Sequence, residues 1–144
     1  MKIEYNPIGI VHSPFKDPNN TPKQPSKSEG TKGFVEVYHT FQSGLSDLDG
    51  FSHIILLCHF HKISDYKLFV IPSGEKESRG LFSTRSPNRP NPIGFSVVRL
   101  NEIIDKRLMI SGLDILDGTP VLDIKPYFRE FESDKNIKTG WMGK

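Results

Sequence analysis

Thr84-Arg85-Ser86-Pro87-Asn88-Arg89-Pro90-Asn91-Pro92-Ile93-Gly94 is the stretch from which the rest of the chain is best read. Pro87, Pro90 and Pro92 each lack a backbone donor and have a fixed φ, so the stretch cannot run inside a helix or a sheet. It reads as a stiffened loop. Strand-like sequence flanks it, Gly80-Leu81-Phe82-Ser83 before and Ile93 to Ile104 after. A stiff polar loop between strands is a common place for binding or chemistry. Arg79, Arg85, Arg89 and Arg99 fall in a window free of carboxylates, which makes a local cationic field.

Outward from this loop the sequence stays turn-rich and β-like. Eleven prolines and twelve glycines in 144 residues argue against a helical protein. The length suits one domain with a real core, and ten phenylalanines supply large apolar area. Phe51 to His61 is the clearest strand, with Ile54, Leu56, Cys58 and Phe60 on one face. Gly33 to Tyr38, Leu68 to Ile71, Phe95 to Ile104 and Leu108 to Gly112 read as further strands. Ile3 to His12 is a strand broken near Pro7. Asp117-Gly118 is a hairpin-turn dipeptide leading into a strand over Val121 to Ile124, ended by Pro126. Ser43 to Gly50 makes a helical or 3₁₀ turn. Ser13 to Lys32 is a long proline-bearing loop, either a surface insertion or a cover for a substrate. The tail beyond Phe128 carries Trp141 and docks on the body or on a second subunit.

A net charge of +2 is too small to name a nucleic-acid partner by itself. The lone Cys58 excludes an internal disulfide and fits a reducing compartment. No signal peptide is visible, and the longest apolar run, Ile54 to Cys58, is too short to cross a bilayer. The chain therefore reads as cytoplasmic, with no membrane partner.

Three constellations carry chemistry. His59 and His61 lie about 6–7 Å apart along a strand, close enough to share a metal. His53 is roughly 20 Å away, and no other cluster supplies further ligands, so no metal site is expected. Arg85 and Arg89 suit a carboxylate or phosphate, because a guanidinium binds bidentately and stays charged. Asp114, Asp117 and Asp123 surround a turn, and Asp117 either serves the turn alone or accepts hydrogen bonds from a ligand. Glycine-rich dinucleotide and phosphate loops are absent, as is a nucleophile elbow. From the residues alone the chain is a turn-rich β domain whose Arg/Asn/Pro loop binds an anionic or polar ligand.

Taken together, the stretches resemble one family. They are Pro7-Ile8-Gly9-Ile10-Val11-His12-Ser13-Pro14-Phe15, Lys23-Gln24-Pro25, Leu48-Asp49-Gly50-Phe51-Ser52-His53, Phe60-His61, the run from Arg79 to Leu100, and Leu116-Asp117-Gly118-Thr119-Pro120-Val121-Leu122-Asp123-Ile124-Lys125-Pro126-Tyr127. The family is the TsaA-like proteins, whose characterised members are TrmO-type tRNA methyltransferases. The resemblance implies a mainly β fold, a single compact β-barrel-like domain over residues 1–128 with a tail at 129–144. It implies S-adenosylmethionine binding without a Rossmann fold, and a homodimer with the cofactor site completed near the subunit interface. The implied reaction is N6-methylation of the N6-threonylcarbamoyladenosine beside a tRNA anticodon. The alternative is a non-catalytic module that binds S-adenosylmethionine or a nucleotide. Cofactor contacts would come from Lys23, Gln24, Pro25, Phe60, His61, Arg85, Phe95, Asp114, Ile115, Leu116 and Asp117. Arg85 would meet the cofactor carboxylate rather than its sulfonium. Arg79, Asn88, Arg89 and Asn91 would face the RNA. Asp117 or His61 would take the proton from the acceptor nitrogen.

Overall fold

The computed structural model describes residues 1–20, 30–130 and 134–143. Eight strands follow one another: β1 (Gly9–His12), β2 (Lys32–Val37), β3 (His53–His59), β4 (Phe69–Val70), β5 (Arg79–Gly80), β6 (Ile93–Ile104), β7 (Arg107–Ser111) and β8 (Pro120–Pro126). Six of them close into an antiparallel barrel in the order β1-β2-β7-β6-β3-β8, and β4 and β5 pair separately. Among the described residues the only helices are short 3₁₀ turns. The β-barrel expected from the resemblance is therefore the fold found.

β3 is central to the barrel, hydrogen-bonded to β6 on one side and β8 on the other. Its alternation is that of a strand with one buried face: Ile54, Leu56 and Cys58 are 0%, 0% and 1% exposed. Val11, Val35, Val98, Leu108, Ile110 and Val121 fill the interior from the other five strands. Two bulges bend the sheet enough to close it. At Asn101 the register of β6 against β7 shifts, and Ile103 packs on the core although Leu100 also points inward. At Leu122 the register of β8 against β3 shifts, which lets both Val121 and Ile124 serve the core. The β6–β7 hairpin turns through Asp105 and Lys106, with Asp105 in the left-handed region at φ 54°.

The Asp117-Gly118 reading needs correction. The turn is real: Thr119 donates its backbone N–H to Leu116 O at 3.3 Å, and Gly118 has φ 82°. It does not join paired strands, because β7 lies between β2 and β6 whereas β8 lies between β1 and β3. Residues 112–119 instead cross the end of the barrel, and Leu113 and Ile115, at 0% and 2% exposure, plug it. The N-terminal strand is also shorter than expected, starting at Gly9 rather than Ile3.

The crossed end is the mouth, where β1, β3 and β7 finish and β2, β6 and β8 begin. The opposite end is covered by 3₁₀ turns over His39–Leu45 and Leu48–Gly50, whose Leu45 and Leu48 pack on the core. The tail docks on the body: Trp141 Nε1 donates to Ser83 O at 2.8 Å, and the Arg79 guanidinium lies 5.4 Å over the indole. No helix among the described residues is long and apolar enough to cross a membrane.

Candidate active site at the barrel mouth

Four segments converge at the mouth: the residues after β1, those after β3, the loop before β6, and the 112–119 crossing. Each is held by identifiable bonds. Ser13 Oγ donates to Ile115 O at 2.6 Å, Asp117 N–H to Phe15 O at 2.8 Å, and Gly118 N–H to Val11 O at 2.8 Å. These fasten the crossing to β1. Phe60 N–H donates to Pro92 O at 2.8 Å and fastens the end of β3 to the proline loop.

The proline loop is clamped from within. Leu81–Ser83 form a 3₁₀ turn, and the Thr84 hydroxyl caps it by donating to Leu81 O at 2.7 Å. Arg89 Nη1 then donates to Thr84 O at 2.9 Å and Ser86 O at 3.1 Å, and its guanidinium carbon lies 5.6 Å over the Phe82 ring. Arg89, expected to be free for RNA phosphate, thus spends one end of its guanidinium on its own loop. Arg79, also expected to be free, is paired with Glu77 at 3.1 Å and stacked on Trp141. Its buried Nε has no partner. Arg85, Asn88 and Asn91 are exposed, and no hydrogen bond or ion pair among the described residues holds the Arg85 guanidinium.

Inside the mouth, Gly94 and Ser96 occupy the interior row of β6 above Val98 and Leu100. A side chain at position 94 would displace its neighbour: a Cβ there would lie 2.6 and 2.9 Å from Phe60 Cε1 and Cε2, and closer still to Cζ. The Phe60 ring therefore rests flat against bare backbone. Ser96 Oγ donates to Asp114 Oδ1 at 3.2 Å. Burial raises the Asp114 carboxyl above its ordinary value, although the Ser96 hydroxyl and the residue's own backbone pull it back. Burial, with Asp114 nearby, pushes the Cys58 thiol up to about 12, so Cys58 is an inert neutral wall.

Asp117 is different. Burial would raise its carboxyl, but the Lys16 ammonium 2.7 Å away and the Ser13 N–H at 2.9 Å outweigh that and hold it below its ordinary value. Both oxygens are taken, one by each partner. The carbonyls of Ile115 and Leu116 are taken too, by Ser13 Oγ and Thr119 Oγ1. Burial, then Lys62 and His59, hold the His61 imidazole below its ordinary value. Its Nδ1 is buried without a hydrogen-bond partner.

Phe60, Asp114, Ile115, Leu116 and Asp117 thus gather at the mouth, and His61 follows directly on Phe60. Phe95 is set apart. Its side chain is 59% exposed on the outer barrel face, opposite Gly94 and Ser96, beside Ile93 at 46%. Lys23, Gln24 and Pro25 lie outside the described residues. His59 is exposed, and among the described residues no three His, Cys, Asp or Glu side chains gather as a metal site. Two surface depressions, of about 710 and 540 Å³, lie at the opposite end around Leu45, Ser46 and Asp47. Neither touches the mouth. Both are shaped by the junction of the 3₁₀ turns with the barrel, and neither gathers the groups just described.

Sequence reasoning missed Ser96, Gly94 and the Ser13–Lys16 bracket around Asp117. Ser96 had a signal: it is a hydroxyl in an otherwise apolar inward row. Gly94 had a weaker one, as a glycine two residues after a proline at the start of a strand.

Comparison with known proteins supplies the lineage. Residues 10–133 match the family described as the tRNA-methyltransferase O N-terminal domain. A probable S-adenosyl-L-methionine-binding protein of Pyrococcus abyssi is 51% identical over 144 residues, all of this chain and 78% of its own length. The mouse tRNA (adenine(37)-N6)-methyltransferase is 39% identical over 140 residues, 91% of this chain and 32% of that protein. A crystal structure of TrmO from Pseudomonas aeruginosa superimposes with a TM-score of 0.82 at 36% identity, over 100% of this chain and 64% of that one. The chain thus spans less than two thirds of that bacterial protein and about a third of the mouse enzyme. A closed six-stranded barrel, the missing glycine fingerprint and a match over most of the sequence lead to one assignment: the chain belongs to the tRNA-methyltransferase O N-terminal domain family.

Proposed function

We propose that this domain binds S-adenosylmethionine at the barrel mouth and methylates the N6 nitrogen of an adenine in tRNA, N6-threonylcarbamoyladenosine beside the anticodon being the substrate form. The observation that carries this reading is the buried, unpartnered Nδ1 of His61. A buried polar atom left without a partner costs stability unless a ligand satisfies it. A neutral imidazole nitrogen accepts a hydrogen bond from an amine or hydroxyl, groups that S-adenosylmethionine carries.

The other mouth residues fit the same group. Asp114 and the Phe60 ring offer a carboxylate and an aromatic face, the chemistry a sulfonium prefers. Arg85, exposed and uncommitted, suits the amino-acid carboxylate. When bound, S-adenosylmethionine supplies the methyl group. The domain's own task is positioning, since transfer needs donor and acceptor in line. Asn88, Asn91 and the unclamped edges of Arg79 and Arg89 form the RNA-facing wall. Exposed Ile93 and Phe95 form the face through which a second copy would complete the site, which gives Phe95 a place despite its outward direction.

The test is methyl transfer from labelled S-adenosylmethionine to tRNA with and without the threonylcarbamoyl group. Transfer only to the modified tRNA is expected. Transfer to neither form would refute it. A second reading, cofactor binding without catalysis, is favoured by the Pyrococcus abyssi relative, which is named only as S-adenosylmethionine-binding. Tight calorimetric binding with no transfer to any tRNA would establish that reading instead.

A further inference from the structure

Two carboxylates stand at the mouth, and their surroundings fit them for opposite tasks. Asp117 is saturated. Its Oδ1 accepts the Ser13 N–H at 2.9 Å and its Oδ2 sits 2.7 Å from Lys16 Nζ. A carboxylate with both oxygens engaged, one by a cation, is a poor proton acceptor and a good anchor for a turn. Asp114 has a single side-chain partner, the Ser96 hydroxyl at 3.2 Å. Its backbone is fixed on both sides by fully buried Leu113 and Ile115. The groups shown beside it are neutral: the Cys58 thiol from β3 and the Ser96 hydroxyl from β6. Lys16, the nearby cation on the β1 side, is already spent on Asp117.

We propose that Asp114, not Asp117, accepts the proton lost by the adenine N6 nitrogen during methyl transfer, with Ser96 as its positioning residue. The inference rests on the methyltransferase reading above. The balance is simple. N6 forms a bond to the methyl carbon, the carbon–sulfur bond breaks with its pair left on sulfur, and the N6 proton passes to a carboxylate oxygen of Asp114. The half-buried setting that disfavours the charged carboxylate is what raises its proton affinity above that of an ordinary carboxylate. His61 is less suited, because the reading above already spends its Nδ1 on the cofactor.

The experiment measures turnover, its pH profile and calorimetric S-adenosylmethionine affinity for the full chain and two variants. Asp114→Asn should lower turnover by about 10²–10⁴-fold, a loss far larger than any loss of cofactor affinity. Ser96→Ala removes a hydrogen bond that lowers the Asp114 pKa, so the acid limb of the rate profile should move to higher pH. A purely structural serine would lower the rate without moving that limb. Asp114→Asn turning over normally would overturn the proposal. So would a loss of cofactor affinity matching the loss of rate, which would make Asp114 a cofactor ligand and no more. If Asp114→Asn does not fold, an unshifted acid limb in Ser96→Ala is enough to refute the proposal. If the wild type binds the cofactor but methylates no tRNA, the methyltransferase reading itself has failed, and the proposal with it.

Discussion

Gly94→Ala tests the architecture of the mouth with one methyl group. The added Cβ would sit 2.6 Å from Phe60 Cε1 and 2.9 Å from Cε2. Carbon atoms rest at about 3.5–4.0 Å, so the ring must retreat by about 1 Å or β6 must bow outward by as much. Overpacking of this kind costs about 1–3 kcal/mol. For a chain of this size that is a melting temperature lower by about 3–10 °C. If Phe60 walls the cofactor site, a displacement of about 1 Å should also reduce turnover by up to about 10²-fold. The assay is thermal and urea unfolding, with calorimetric S-adenosylmethionine binding beside it. Phe60→Leu supplies the control, since removing the ring should relieve the clash. The double variant should then be more stable than the sum of the two single losses predicts. A Gly94→Ala protein as stable as the wild type would refute the placement. Strictly additive losses in the double variant would do the same.

Three further outcomes follow from the site. Asp117→Asn should destabilise the protein at pH 7. Because the Asp117 carboxyl is held below its ordinary value, its contribution is present above that value and disappears as pH falls through the native one. Urea unfolding should therefore show the gap between variant and wild type closing below about pH 4. Arg85→Ala should leave the melting temperature unchanged, since the side chain is exposed and uncommitted, and weaken cofactor binding by about 10–100-fold in calorimetry. Arg89→Ala should cost about 1.5–3 kcal/mol of stability, because two backbone carbonyls lose a charged donor. If Arg89 also meets an RNA phosphate, the salt dependence of tRNA binding in a filter assay should fall by about one unit of slope.

Much of the barrel is legible in sequence where the signal is local. The alternation of Ile54, Leu56 and Cys58 identifies β3, because a strand with one buried face has a period of two. The prolines of the 87–92 stretch mark a loop for equally local reasons. The closing order is not local. Nothing near Asp117-Gly118 tells whether the turn joins neighbouring strands. The φ that suits Gly118 is the same whether the next strand pairs with β7 or with β1 and β3. Reading a hairpin there was propensity overruled by topology.

The site divides in the same way. Asp114 and Phe60 could be placed only through the family likeness. The contact of Phe60 with Gly94 depends on one strand end folding over another. Arg89 shows the limit of counting charges. A window without carboxylates suggests a free cation, yet a guanidinium is equally satisfied by backbone carbonyls, which composition does not reveal. Asp114 and Asp117 are three residues apart and identical in type. Their opposite pKa directions come from Lys16 and Ser13, about a hundred residues away in the chain.

Trp141 is the sole tryptophan, and its indole is fastened to Ser83 O, two residues before Arg85. The protein thus carries one indole fluorophore, wired by a hydrogen bond to the stem of its proline loop. Emission from a half-buried indole depends on its local polarity and on the cation stacked over it. A ligand that shifts the loop would alter the Trp141 spectrum without any label. The same docking that secures the tail makes the molecule its own optical gauge of the loop.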